Sequence, residues 1–228
     1  SLVATLSLPA QYQPLIEVLD AHRNVGPLGR GQTQLLTPGF RIRLADNFPY
    51  DFDLPLRLDY RDSVTRYADF EYTYLTFNSS YLDLSVNRLH TTVNSQGNFG
   101  WHDFLYNQEG QGVRFQGQRN VLFEGGFLIG ASPSQVFDRT RNTIGRDNDF
   151  FILEPISRVR NSEIAAFEAH SRCSDVGAPN NLDLEVAQST YAFDQPGWQQ
   201  FVLLRYVLHN PTNFGVNGLY AGLFADWD

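Results

Sequence analysis

With 228 residues, a formal net charge of -8 and a pI near 5.0, the chain has the size for one large β domain or two small ones. It lacks the basic footprint that a nucleic-acid backbone or an anionic membrane surface selects. All 17 basic residues are arginine, which excludes Schiff-base and P-loop chemistry. A single cysteine excludes an intrachain disulfide, and the absence of any run of about 18 apolar residues excludes a helical membrane span; with no methionine, the chain is expected to be processed or excised, any signal peptide already gone.

Aromatic residues make up 14% of the chain, and Gly and Pro recur throughout, which suits short strands joined by turns. Residues 14–22 read two ways: Leu15, Val18 and Leu19 have helical spacing behind a proline suited to a first turn, and the same residues can form a strand. In "DLPLRLDY", Leu54, Leu56 and Leu58 share one face. "NSS" at Asn78 fits the N-glycosylation sequon. In "YLDLSVNRL", Leu82, Leu84 and Val86 oppose Asp83, Ser85 and Asn87. The stretch that follows is rich in aromatics, of which Trp101, His102 and Tyr106 either form a platform for stacking sugar rings or fill the interior of a sandwich.

"NVLFEGGFLIG" places Glu124 inside an apolar strand, beside two glycines that permit a bulge or a close backbone approach. A buried glutamate costs several kcal/mol unless paired, so Glu124 is either a general acid or base with a raised pKa or a structural carboxylate bound to an arginine such as Arg119 or Arg141. Ser132 in "IGASPSQ" lacks the second glycine of a nucleophile elbow and reads as a turn. Residues 161–172, "NSEIAAFEAHSR", carry the better helical signal, with Asn161 or Ser162 as cap; a strand is the alternative. Cys173 is expected to be a buried free thiol, and "CSDVGAPNN" to be a long loop or a divide between two lobes. After the alternating "LDLEVAQ", the terminal segments predict a hairpin: Val202, Leu204, Tyr206 and Leu208 on one strand, Leu219, Ala221, Leu223 and Ala225 on the other. Phe201, Leu203 and Val207 on the opposite parity predict an inner strand covered on both faces.

Five scattered histidines show no HExxH or HxH spacing, and there is no CxxC, so no zinc site is built from neighbours in sequence. Asp147 with Asp149, and Asp226 with Asp228, would each offer two hard oxygens to a Ca²⁺ if they sit at alternate positions of a strand, short of the roughly six to eight that calcium takes. Calcium is the one cofactor this pattern suggests.

The run "GNFGWHDF", "GQGVRFQGQRNVLFEGGFLIGASPSQVFDRTRN", "DNDFFIL" and the final "FVLLRYVLHNPTNFGVNGLYAGLFADWD" resembles a β-rich region of large secreted or cell-surface proteins of Bacteroidota. Those proteins are associated with type IX secretion and are often attached to subtilisin-like peptidases. The resemblance covers residues 97–228 and is weaker over 1–96, which sets the expected boundary between an N-terminal β region and a sandwich region. It implies an extracellular sandwich outside the peptidase's catalytic part, a chain that runs on beyond "DWD", and other domains or chains of the same assembly as partners. No subtilase histidine or serine motif is present. "DSV" at Ser63 resembles the O-glycosylation signal of the same phylum.

The expected fold is therefore all-β: a large antiparallel sandwich, with two lobes possible and few or no helices. The expected function is a non-catalytic extracellular structural or adhesion module. A carbohydrate-binding module working through Trp101, an accessory domain of a secreted peptidase and a hydrolase built on Glu124 are the alternatives. A deep wet pocket joining Glu124 to a histidine or a second acid would favour the hydrolase.

Overall fold

The computed structural model describes residues 2–27, 29–103, 106–142 and 145–227. The chain divides into two compact units, Ser1–Ser79 and Ser80–Asp228. The division lies earlier than the boundary expected at 96/97, because residues 81–94 form two strands that pair inside the second unit. Helical structure among the described residues is limited to two single 3-10 turns, at Ala10–Tyr12 and Asp175–Gly177.

The first unit holds β1 (Leu2–Ser7), β2 (Ile16–Asp20), β3 (His22–Gly26), β4 (Arg41–Leu44), β5 (Phe52–Asp62) and β6 (Tyr67–Phe77). Four of them make an antiparallel sheet in the order β3-β1-β5-β6, and β2 pairs with β4 as a separate ribbon. The ambiguous segment at 14–22 is strand, not helix, because Ile16 and Val18 alternate into the core opposite Leu44 and Ile42. The ribbon covers Leu6, Leu54 and Leu56 of the sheet, with Phe48 beside them. The Leu54, Leu56 and Leu58 alternation thus meets its second layer.

The second unit is a sandwich. One sheet contains β7 (Tyr81–Leu84), β8 (Leu89–Asn94), β9 (Asn98–Phe99), β10 (Val113–Phe115), β11 (Leu122–Ser132), β12 (Gln135–Phe137) and β17 (Tyr220–Trp227). The other runs β13 (Phe151–Arg158), β14 (Phe167–Ser174), β15 (Glu185–Ala192), β16 (Val202–His209) in that order. Two apolar clusters join the sheets. Phe127, Ile129 and Phe137 pack against Cys173, Leu184 and Val186, while Leu84 and Val93 pack against Ile156, Phe167 and Ala169. The rings of Phe127 and Tyr206 stack at 4.0 Å across the gap.

Between these clusters lies a polar turn. Residues 94–98, joining β8 to β9, are all buried. Asn94 Oδ1 accepts the N–H groups of Gln96 (3.0 Å) and Asn98 (2.9 Å); Ser95 Oγ donates to the Ser80 carbonyl (2.8 Å) and accepts the Ile156 N–H (2.8 Å). Gln96 donates to the Phe150 carbonyl, and Asn98 Nδ2 to that of Arg139 (3.0 Å). Gly97 takes the left-handed φ of 91° that this turn requires.

Two expectations fail here. The last two strands exist but do not form a hairpin: β16 pairs with β15 in one sheet, and β17 pairs with β11 in the other. The residues between them cross the sandwich instead of turning back, and Leu203 and Val207 on edge strand β16, with Phe201 just before it, are exposed rather than covered. Residues 161–172 are not helical. Ser162 Oγ does accept the N–H groups of Ile164 (3.1 Å) and Ala165 (3.2 Å), as a cap would, but the chain then extends because Phe167, Ala169 and Cys173 alternate into the core as β14.

The glycine pair of β11 serves close packing. A Cβ on Gly125 would lie 2.4 Å from the Phe99 ring, and one on Gly126 2.8 Å from Thr140 Cγ2. We expect Gly125→Ala to cost about 1–3 kcal/mol through overpacking. Gly215→Ala, whose Cβ meets nothing within 4 Å, is expected to stay within about 0.5 kcal/mol of the parent. Urea unfolding of both variants measures the difference.

Candidate functional site

In the second unit, β11 carries a bulge between Leu122 and Glu124, and the glutamate side chain is 14% exposed. Glu124 Oε1 accepts the Arg141 N–H (2.8 Å), and Oε2 lies 3.9 Å from Arg141 Nε. The Arg141 guanidinium in turn sits over the Phe123 ring at 4.1 Å. Burial pushes the Glu124 carboxyl above its ordinary range, opposed by the positive charge of Arg141. Arg146, half-buried, has its pKa pushed down by desolvation and donates to the His102 carbonyl (2.8 Å). Trp101 Nε1 donates to the Leu122 carbonyl (3.1 Å).

Glu124, Trp101, His102, Asp103, Arg141 and Arg146 together line a cavity of about 10 Å³. A glutamate and a histidine therefore do border one space. That space is about one water wide, too small for a substrate.

The other expected sites are placed as follows. Of the aromatic trio, His102 is buried and stacked on Tyr81 at 4.6 Å, Trp101 is half-buried, and Tyr106 is 72% exposed. Asp147 and Asp149 lie in an irregular run before β13, so the alternation expected of a strand does not apply to them. Asp149 Oδ2 accepts the Asp138 N–H (3.1 Å), and Asp147 accepts the Asn142 amide. Burial raises the Asp149 pKa, and the charges of Asp147, Asp138 and Asp175 add to the shift. Asp226 lies on β17 opposite Glu124, while Asp228 falls outside the described residues. No group of three His, Cys, Asp or Glu side chains suited to a metal occurs among the described residues.

Ser63 is exposed in the β5–β6 turn, where Asp62 accepts from Val64 N–H and Thr65 Oγ1 at 3.0 Å each. Asn78 donates its amide to the Phe48 carbonyl (2.9 Å). Ser132 lies 3.2 Å from Ser134 Oγ at the end of β11, a turn contact. Cys173 is buried, and desolvation pushes its thiol up to about 12.

A concave surface that the sequence reading passed over lies in the first unit. The register places Leu2, Tyr60, Asp62, Tyr67, Asp69 and Glu71 on the same sheet face as Leu54 and Leu56. The β2–β4 ribbon covers the leucine end of that face, and the other end is left open as the floor of a groove of about 740 Å³. Gln32, Thr33, Gln34 and Leu36 wall it from the loop side, with Val25 of β3. A neighbouring depression of about 510 Å³ shares Leu2 and Tyr67. Tyr60 donates its hydroxyl to Glu71, and Tyr67 donates to Asp69 Oδ2 (3.1 Å). On the opposite face Phe70, Tyr72 and Tyr74 are exposed in a row, with the Arg57 guanidinium over Phe70 at 4.4 Å.

The chain matches no family model, no curated protein and no solved structure.

Burial, with help from the Glu71 hydrogen bond, raises Tyr60 from 10.0 to about 12. The folded state thus holds this proton more tightly than the unfolded chain, so the contribution is complete below pH 10 and is lost as the pH climbs towards 12. Unfolding midpoints measured from pH 8 to 12 are expected to fall over that window, and Tyr60→Phe to remove part of the fall.

Proposed function

We propose that this chain is a non-catalytic extracellular module of a secreted or cell-surface protein, acting in adhesion or architecture through its surfaces. The observation that carries the reading is the closed cluster at Glu124. The carboxylate best suited to acid–base chemistry is spent on Arg141, and the space beside it, about 10 Å³, admits about one water.

The edges of the sheets support the same reading. Each of β6, β16 and β17 pairs on one side only among the described residues, and each exposes large apolar groups: Tyr74 on β6, Leu203 and Val207 on β16, Tyr220, Leu223 and Trp227 on β17. Such edges invite pairing with another chain. The extracellular address rests on the resemblance to secreted Bacteroidota proteins, with the exposed Ser63 turn as an accessible acceptor for the glycan that "DSV" implies.

Glu124→Gln is the decisive variant. It keeps an oxygen for the Arg141 N–H and removes the charge, so a stability loss of about 1–3 kcal/mol is expected by thermal or urea unfolding. Panels of peptide and glycoside substrates are expected to show no turnover by the parent chain. A hydrolysis that the parent performs and the folded Glu124→Gln variant loses would overturn the proposal.

A further inference from the structure

We infer that the groove on the open half of the first unit's sheet binds a neutral oligosaccharide. This rests on the module reading and names the ligand class its surface would take.

Its volume of about 740 Å³ falls within the roughly 300–1,000 Å³ of small-ligand sites. Two tyrosine rings lie on its floor, and their hydroxyls are tied to the carboxylates beside them, Tyr60 to Glu71 and Tyr67 to Asp69. Rings fixed before binding lose less side-chain entropy when a ligand stacks on them. An aromatic face suits the C–H face of a pyranose, which is apolar although the ring's edge is polar.

The polar groups sort by role. Asp69 and Glu71 are acceptors. Gln32 spends its side-chain oxygen on the Gly29 N–H (2.9 Å), which leaves its NH₂ as a donor, and Thr33 and Gln34 stand next to it on the wall. Acceptors on the floor facing donors on the wall complement a ligand whose hydroxyls do both. Among the described residues no arginine lines the groove, so an acidic sugar or a phosphate meets two carboxylates there and no guanidinium. A cationic peptide would meet only two carboxylates, each already accepting a tyrosine hydroxyl. The mixture as a whole favours a neutral polyol.

The test titrates the full chain with cellohexaose, mannohexaose and laminarihexaose, and with hexagalacturonate and hexa-arginine as charged probes, by calorimetry and ligand-observed NMR. At least one neutral hexaose is expected to bind. Tyr67→Ala and Glu71→Gln are expected to weaken it about tenfold or more, and Phe214→Ala, an exposed aromatic of the other unit, to leave it unchanged. Gln34→Trp, which narrows the groove from its wall without altering the sheet, is expected to give the same loss, and unfolding curves confirm that each variant is folded. The inference is overturned if none of the neutral hexaoses binds at about 10 mM, if Tyr67→Ala and Gln34→Trp bind as the parent does, or if a charged probe binds in their place. Failure here with no Glu124-dependent turnover sinks the ligand assignment alone, whereas such turnover sinks the module reading.

Discussion

A chain that buries a tight turn between two sheets must find a partner for every N–H and carbonyl it takes out of water. The turn at residues 94–98 meets that demand with side chains: Asn94 closes the turn on itself, Ser95 and Gln96 reach carbonyls and an N–H in the strands on either side, and Asn98 holds the carbonyl of Arg139. Gln188 adds a donor to the Asn94 carbonyl from the opposite sheet (3.4 Å). Each group left unpaired would cost about 1–3 kcal/mol, so the two sheets can approach only in the register that satisfies all of them. The apolar clusters on either side of the turn supply cohesion without direction, and the turn supplies the direction.

The same turn explains why the polar residues around Glu124 are closed. Arg139 is drawn in by Asn98 and the His102 carbonyl, and Arg146 by that same carbonyl, so the segment carrying Trp101 and His102 is fastened over the bulge of β11. Carboxylate and guanidinium then neutralise each other in a space with almost no water. The first unit is built on the opposite plan. Its sheet is longer than the two-stranded ribbon that covers it, and the uncovered end has tyrosines and carboxylates in place of leucines. A groove is the consequence of that mismatch in length between layers.

Much of the fold was legible because most strands bury one face and expose the other. Leu54, Leu56 and Leu58, or Leu82 and Leu84 against Asp83 and Ser85, announce themselves by that contrast. Strand partners were not legible. β16 and β17 are both edge strands with apolar residues on both parities, so turn residues between them suggested a hairpin that the core does not support. Ser162 gave a true capping signal, and tertiary packing of Phe167 and Cys173 overrode it. The pairing of Glu124 with an arginine followed from the cost of burying a lone charge, but the tiny cavity did not, since no pattern reports volume. The groove escaped notice because "YADFEYTYLTF" carries aromatic or polar groups on both parities and so lacks the contrast that marks a buried face.

The crossover of the last two strands has a mechanical meaning. β17 lies antiparallel to β11 along Leu122–Gly130, so tension drawn along β17 stretches the ladder lengthwise, and its hydrogen bonds share the load instead of opening one after another. Because β16 is anchored in the facing sheet, force passing through the intervening loop is handed from one layer of the sandwich to the other. A sandwich fastened in this way would yield as a block, resisting shear until the whole ladder slips.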